Sequence, residues 1–375
     1  MRILRVAQKV YPDVKGGGPY HVHAMSRDQA AMGHDVTVLT VDAGGSSDGR
    51  ANEDRPHVEQ RDGYTIVRYP ATAEPLGNAV SAGVAQFLRR AGEYDVIHAH
   101  SHLYFSTNLA AIAHRLSGTP LAVTNHGLYS QTAPKWVFDG YLKTVGRWTF
   151  DSADVAFCYT DEDRDRLRDL GISVPVAVVA NGIDTDRFTP EGPVDGRVAG
   201  DPAILFVGRL VDGKRPGDVL AAFERLRERA PEAGLTICGD GPLREELDER
   251  VRERGLDESV QFLGHVSYEE MPAVYRAADA LVLPSEAEGL PRTVLEAMST
   301  DVPVVTSALD QIVGVVDGGG ETVPVGDVEG FTDALAAVTA ESGAYDPRTV
   351  VENGYDWATT VEQTTERLER IAEDR

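Results

Sequence analysis

The chain has 375 residues, 42% of them hydrophobic, with 36 basic and 60 acidic side chains and a formal net charge of −24. That length is long for one core and comfortable for two domains of about 190 residues each. The apolar content supports globular packing rather than disorder, and the charge excludes a nucleic-acid binder.

The acidity comes from 33 Asp and 27 Glu against 31 Arg and only 5 Lys. It points to a salt-loving host, because self-repulsion in dilute buffer fades where salt shortens the screening length to about 3 Å at 1 M. Such a chain needs molar salt to fold; an acidic protein seeking basic partners is the alternative. Residues 1–190 carry net −3 and residues 191–375 net −21. The nearly neutral half is expected to face an anionic headgroup or lipid phosphate, unless the second half simply exposes more helix. Cys158 and Cys238 each end an apolar run and read as buried small hydrophobes in a reducing compartment. No apolar run approaches about 18 residues and no signal-like core opens the chain, so a cytoplasmic protein is expected.

Apolar runs at 3–7, 36–40, 66–67, 96–99, 121–124, 155–158 and 176–180 alternate with helical patterns, which predicts a parallel, doubly wound sheet. Gly16, Gly17 and Gly18 follow the first run and precede a helix over 20–32, where glycines let backbone approach a phosphate or sugar, or merely turn the chain. His98, His100 and His102 alternate and would share one face of an extended chain. Three such histidines can hold zinc, but no carboxylate or cysteine completes a set, so no metal is expected. Residues 135–150 mix aromatics with Lys135, Lys143 and Arg147; a core-packed helix through Trp136, Gly140, Tyr141, Val145 and Trp148 is expected, with a membrane-surface helix as the alternative. The stretch 190–202, rich in Pro, Gly and Asp, reads as a linker between domains 1–189 and 203–356. A second series follows, with strands at 203–207, 235–238, 260–263, 280–283, 302–306 and 322–325. Helices alternate with them near 215–230, 242–254, 268–277, 294–298 and 328–341.

Residues 284–307 place Glu288 in the loop before a short buried helix and Glu296 within it. A carboxylate beside a helix N-terminus can grip a polyol and a phosphate together; a capped helix with two surface acids is the plain alternative. Arg209 and Lys214 follow strand 203–207, where a forked guanidinium and an ammonium can offset diphosphate charge, or make salt bridges within an acidic domain.

The run Pro284-Ser-x-x-Glu288-Gly289-x-Pro291-x4-Glu296-Ala-Met298 resembles the Glu-x7-Glu motif of retaining glycosyltransferases of family 4. Val207-Gly-Arg-Leu210 with Lys214, Gly239-Asp-Gly-Pro242, Asn181-Gly-Ile-Asp184, Gly33-His-Asp-Val-Thr-Val38, Asp95-Val-Ile-His-Ala-His100 and Asn125-His126-Gly127 resemble family segments in the same order, over nearly the whole chain. The resemblance implies the α/β GT-B fold, two Rossmann-like doubly wound domains facing a central cleft, with a final helix in 357–375 crossing back to the first. It implies a catalytic set of Arg209, Lys214, Glu288 and His126. Arg209 and Lys214 stabilise the leaving diphosphate, Glu288 takes sugar hydroxyls and Glu296 the ribose. Gly289, Leu290, Pro291 and Arg292 form an amide loop, Gly264, His265 and Val266 lie beside the nucleobase, and Gly16 and Gly17 touch the donor. His98, His100 and Asn125 fall on the acceptor side.

The implied reaction moves a hexose from a UDP- or GDP-sugar to a lipid-linked or glycan acceptor, without metal or other cofactor, at the cytoplasmic membrane face. The leaving phosphate acts as base, and Glu288 as covalent nucleophile is the alternative. A non-catalytic nucleotide- or glycan-binding subunit and a nucleotide-sugar epimerase are competing readings. Three positions depart from the family pattern: Asp301 and Arg215 stand where Gly is common, and Gln311 where Glu is frequent. Asp tolerates the left-handed backbone such a Gly supplies, so only modest change is expected.

Overall fold

The computed structural model describes residues 1–42, 56–128 and 135–374. The chain divides into two units, Met1–Ala180 with Thr360–Arg375, and Asn181–Thr359.

Unit 1 holds strands β1 (Arg2–Val6), β2 (Asp35–Asp42), β3 (Val58–Arg61), β4 (Tyr64–Pro70), β5 (Val96–His100), β6 (Leu121–Thr124), β7 (Val155–Cys158) and β8 (Val176–Val178). They form one sheet in the order β3-β4-β2-β1-β5-β6-β7-β8. Alternation along β1 explains its burial on both faces. Leu4 and Val6 enter one apolar cluster and Ile3 enters the other, on the opposite face of the sheet. Arg5 shares the face of Ile3 and is fully buried. Its Nη1 donates to Ser26 Oγ (2.8 Å) and its Nη2 to Gln29 Oε1 (2.5 Å), both on the helix Gly17–Ala31. Gln29 Nε2 donates in turn to Thr365 Oγ1 (2.9 Å) of the helix Trp357–Glu373, whose Leu368 joins the same core.

β3 pairs antiparallel with β4, the one such pair in a sheet otherwise parallel among the described residues. Its polar Val-Glu-Gln-Arg pattern gives no strand signal. Ion pairs define it instead: Arg61 to Glu59 (2.8 Å), Arg68 to Glu59 (2.6 Å) and Arg68 to Asp13 (2.7 Å). A charged edge strand also resists pairing with another chain.

Unit 2 holds β9 (Ala203–Val207), β10 (Gly234–Cys238), β11 (Val260–Gly264), β12 (Ala280–Leu283), β13 (Val304–Ser307) and β14 (Gly320–Val323), all parallel, in the order β11-β10-β9-β12-β13-β14. Helices Asp310–Val316 and Pro347–Gly354 lie where no helix is expected. Each is only seven or eight residues long, too short for a clear period. Strand order reverses between β1 and β5 in unit 1 and between β9 and β12 in unit 2. Loops leaving the carboxyl ends diverge at such points and leave room for ligands.

Two expectations change. The division falls after Ala180 rather than at 189, and residues 190–202 belong to unit 2 rather than forming an interdomain linker. Asp195 N donates to Ala273 O (2.9 Å), and Arg276 Nε to Pro193 O (2.8 Å), so this Pro- and Gly-rich stretch is tied down by its own unit. The helix expected over 135–150 is α-helical at Lys135–Tyr141 and Arg147–Asp151, with a π turn at Leu142–Gly146. The buried face is not the expected one. Phe138, Leu142 and Phe150 are buried, whereas Trp136 is 78% and Val145 42% exposed. The Lys135 side chain lies outside the described residues. Both cysteines are buried free thiols.

Candidate active site

The loops at the β9/β12 switch point carry the expected charged residues. Lys214 ends a short turn, Asp212–Lys214, and Glu288 follows β12; the Lys214 ammonium donates directly to the Glu288 carboxylate. Neither carboxylate of the pair is a surface acid, since Glu288 is 7% and Glu296 6% exposed. Glu286 N donates to Gly213 O (2.9 Å), stitching the two loops together. Gln311 Nε2 donates to the main-chain oxygen of Glu288, so the departure at 311 helps to fix the Glu288 backbone. Arg209, at the end of β9, is exposed.

Glu296 lies inside the helix Arg292–Ser299. Tyr275 Oη donates to its Oε2 (2.8 Å) and Arg292 Nε lies 3.7 Å from its Oε1. Burial raises the Glu296 carboxyl pKa, while the charge of Arg292 and the Tyr275 hydrogen bond pull it down. Burial and the adjacent Glu296 push the Tyr275 hydroxyl well above its ordinary range, which keeps it a donor.

Arg292 corrects one expectation: it is the first residue of the helix rather than part of a loop of amides. Its Nη1 donates to Gly182 O (3.1 Å) and its Nη2 to Tyr268 Oη (3.2 Å). Gly289, Leu290 and Pro291 do precede the helix, with Pro291 at its N-cap. Asp301 has φ +65°, and the pair Val302 N to Ala297 O and Asp301 N to Met298 O (both 3.0 Å) closes the helix in a left-handed C-terminal turn. Arg215 is also left-handed, at φ +51°. Both departures therefore keep the backbone a glycine would take.

Gly264 ends β11, and His265 and Val266 follow it, with His265 exposed and Val266 buried. Gly239, at the end of β10, lies against the loop after β9. Its N donates to Gly264 O (2.7 Å), and a Cβ there would come within 1.9 Å of Gly208 O. The Gly-Asp-Gly motif therefore has a packing role between neighbouring loops.

In unit 1 the loops at the β1/β5 switch point surround a cavity of about 90 Å³ lined by Gln8, Lys9, Gly18, Ser101, Tyr104, His100 and His126, with flanking apolar groups. Gly16 is the N-cap and Gly17 the first residue of the adjoining helix. His100 and His126 thus come together, with His100 Nδ1 3.0 Å from His126 Nε2.

The other candidates do not line this cavity. His98 is wholly buried, its ring 4.3 Å from that of His100, with Nε2 bound to Thr124 Oγ1 (2.7 Å) and Nδ1 3.4 Å from Arg5 Nη2. Asn125 is buried and accepts from Gly127 N (3.1 Å), shaping the turn after β6. His102 leaves the expected shared face, because Ser101 at φ +67° breaks the alternation and stacks His102 on Phe150 (4.9 Å). Burial, with the Arg5 charge, holds His98 well below the ordinary imidazole range; burial, with the neighbouring His98 and His126, does the same to His100, and burial alone brings His126 down to about 4.

Sequence reasoning missed Arg5, Tyr159 and Tyr275. Only Arg5 gave a signal, as a charge at an alternating position of an apolar strand.

Comparison with known proteins also finds two domains in chain order. Residues 15–187 match the Glycosyltransferase Family 4 description and residues 193–357 that of Glycosyl transferases group 1. A glycogen synthase of Mycobacterium tuberculosis is 29% identical over 402 residues, covering 98% of this chain and 94% of its own. A GDP-mannose-dependent alpha-(1-6)-phosphatidylinositol monomannoside mannosyltransferase of Mycolicibacterium smegmatis is 27% identical, covering 97% and 95%. Among solved structures, sucrose-phosphate synthase from Thermosynechococcus elongatus superposes with a TM-score of 0.81 at 18% identity over 100% of both chains. Anabaena HepE in complex with UDP-glucose gives 0.76 at 19%, covering 99% of this chain and 100% of its own. These neighbours are GT-B glycosyltransferases, and their likeness supports the two Rossmann-like units. With both units matched in chain order, the protein belongs to the glycosyltransferases built from a family 4 domain followed by a group 1 domain, and is a transferase.

Proposed function

We propose that this transferase retains configuration while moving a hexose from a nucleoside diphosphate sugar to a lipid-linked or glycan acceptor, without a metal or other cofactor. The observation that carries the reading is the Lys214–Glu288 pair at the β9/β12 switch point, a half-buried ammonium on a buried carboxylate in the loop before the helix that holds the buried Glu296. A diphosphate arriving there exchanges one anionic partner of the Lys214 ammonium for another and frees the Glu288 carboxylate to accept sugar hydroxyls. Arg209, exposed on the same loop, adds a second cation as charge develops on the leaving phosphate. That phosphate takes the proton of the attacking hydroxyl. Glu296 accepts from the ribose hydroxyls.

A uridine or guanosine donor is supported by the relatives' names, one a GDP-mannose-dependent enzyme and one seen with UDP-glucose. Glycogen and phosphatidylinositol mannoside enzymes among the relatives support a polysaccharide or lipid-linked acceptor.

The test is incubation in molar potassium chloride with UDP-, GDP-, ADP- and dTDP-sugars and a membrane lipid extract or glycogen. Released nucleotide and transferred label are both measured. Label passing from one donor with its anomeric configuration kept, and lost in Glu288→Ala and Lys214→Ala, is the expected result. Donor binding without release in the intact protein overturns it in favour of a non-catalytic binding subunit.

A further inference from the structure

Glu296 is buried, yet among the described residues a single hydrogen bond reaches its carboxylate, from Tyr275 Oη to Oε2 (2.8 Å). A carboxylate offers about four acceptor positions, so most of this one stays open. Arg292 supplies charge rather than a hydrogen bond, because its Nε is 3.7 Å from Oε1, too long for one. Its Nη1 and Nη2 are engaged by Gly182 O (3.1 Å) and Tyr268 Oη (3.2 Å). The direction in which the Glu296 carboxylate faces is therefore fixed by the Tyr275 hydroxyl.

Tyr275 is itself held in place. It sits on the helix Met271–Arg276, is fully buried, and packs edge-on against the ring of the equally buried Phe188, centroids 5.9 Å apart. Burial opposes charge on Glu296; the charge of Arg292, the Tyr275 hydrogen bond and the more distant Arg187 favour it. Without the hydroxyl, the carboxylate swings away or takes a proton more readily. A protonated carboxyl accepts at one oxygen and donates from the other, so it no longer accepts from two neighbouring hydroxyls at once.

We propose that Tyr275 is a positioning residue for ribose recognition: its hydroxyl aims the Glu296 carboxylate so that Oε1 and the second acceptor position of Oε2 take the 2′- and 3′-hydroxyls of the donor nucleotide together. This rests on the reading of Glu296 as the ribose acceptor. It adds that the preference for a ribonucleotide is set from the neighbouring helix, by a side chain too buried to touch the ligand.

The test is titration calorimetry on the full chain in molar potassium chloride, with UDP, GDP and their 2′,3′-dideoxy counterparts. The intact protein is expected to bind the ribo form of its nucleotide about tenfold or more tightly than the dideoxy form, the size expected of hydrogen bonds to a charged group. Tyr275→Phe is expected to remove most of that ratio by weakening the ribo form, with the dideoxy affinity nearly unchanged. Tyr345→Phe deletes the same kind of bond at the surface of the unit, from Tyr345 Oη to Glu321 Oε1 (2.8 Å), and is expected to change neither affinity. Because Tyr275→Phe leaves a buried carboxylate without its donor and lowers stability, a second comparison removes the charge. Glu296→Gln is measured with and without Tyr275→Phe, and the double variant is expected to discriminate less than Glu296→Gln alone, since its amide has lost the bond that orients it.

A Tyr275→Phe protein that keeps the intact ratio, or that loses ribo and dideoxy affinity in equal measure, overturns the positioning role and leaves Glu296 as ribose acceptor. Equal ratios in the two Gln variants overturn it as well. An intact protein that does not distinguish the two forms, or binds neither, overturns the ribose reading of Glu296 and this inference with it. No turnover is needed, so failure of the transfer assay is read separately.

Discussion

Gly239→Ala perturbs the donor-side loops at a point where the clearance is defined. The added Cβ would lie 1.9 Å from Gly208 O and 2.9 Å from Gly208 C, against an ordinary contact of 3.4–4 Å. The loop after β9 must therefore retreat by about 1.5 Å, the gap between 1.9 and 3.4 Å. Gly239 also has φ +137°, which side chains rarely adopt. Overpacking and backbone strain each cost roughly 1–3 kcal/mol, so a loss of about 2–6 kcal/mol in stability is expected. The retreating segment leads directly into Arg209 and Lys214, and a displacement near 1 Å at a positioning loop costs about 10²-fold in rate. Gly213→Ala is the matched control: it lies in the same loop, at an ordinary φ, and its Cβ meets nothing within 4 Å. Thermal melts and donor-dependent nucleotide release should show Gly239→Ala impaired in both and Gly213→Ala in neither. Equal behaviour of the two variants would refute the packing role of the Gly-Asp-Gly turn.

Other consequences are as direct. Lys214→Met leaves the buried Glu288 carboxylate without its cation, so urea unfolding should show a loss of about 3 kcal/mol, largely recovered in Lys214→Met/Glu288→Gln, while kcat stays low in both. A double variant as unstable as the single one contradicts the pairing argument. Burial raises Asp163 from 3.8 to about 6. The native state then holds this proton more tightly than the unfolded chain, and its contribution to stability falls as pH rises from about 4 to about 6, by roughly 2–3 kcal/mol. Asp163→Asn should be the more stable protein at neutral pH, with the advantage vanishing below about pH 4; a difference that does not vary with pH disproves the assignment. With a net charge of −24, we expect dialysis into dilute buffer to abolish most of the far-UV helical signal and molar potassium chloride to restore it. An unchanged spectrum rules that out.

Local pattern was enough for the fold class and for half of the site. Alternating apolar runs of four or five residues between helical stretches placed β1, β5, β6, β7 and β9 to within a residue or two, because burial on both faces makes a strand readable wherever it sits. Lys214 and Glu288 were legible as residue types at fixed offsets from strands whose carboxyl ends must open toward a ligand. That Lys214 binds Glu288, 74 positions away in the chain, depends on β9 and β12 being neighbours, which no local window records. The same limit hid β3, whose polar residues become a strand only against β4 and the charges of Asp13 and Arg68. It also hid the exposure of Trp136, since an aromatic-rich helix offers more than one apolar face and only packing chose the one carrying Phe138 and Leu142. The three alternating histidines show the division most plainly. Their spacing put His98 and His100 on one face; the left-handed Ser101 turned His102 away. Sequence determined which chemistry-bearing residues stand at strand ends, because that follows from local periodicity. Only tertiary packing decided which of them meet and which stay buried, because hydrogen-bond partners are set by distances between segments remote in the chain.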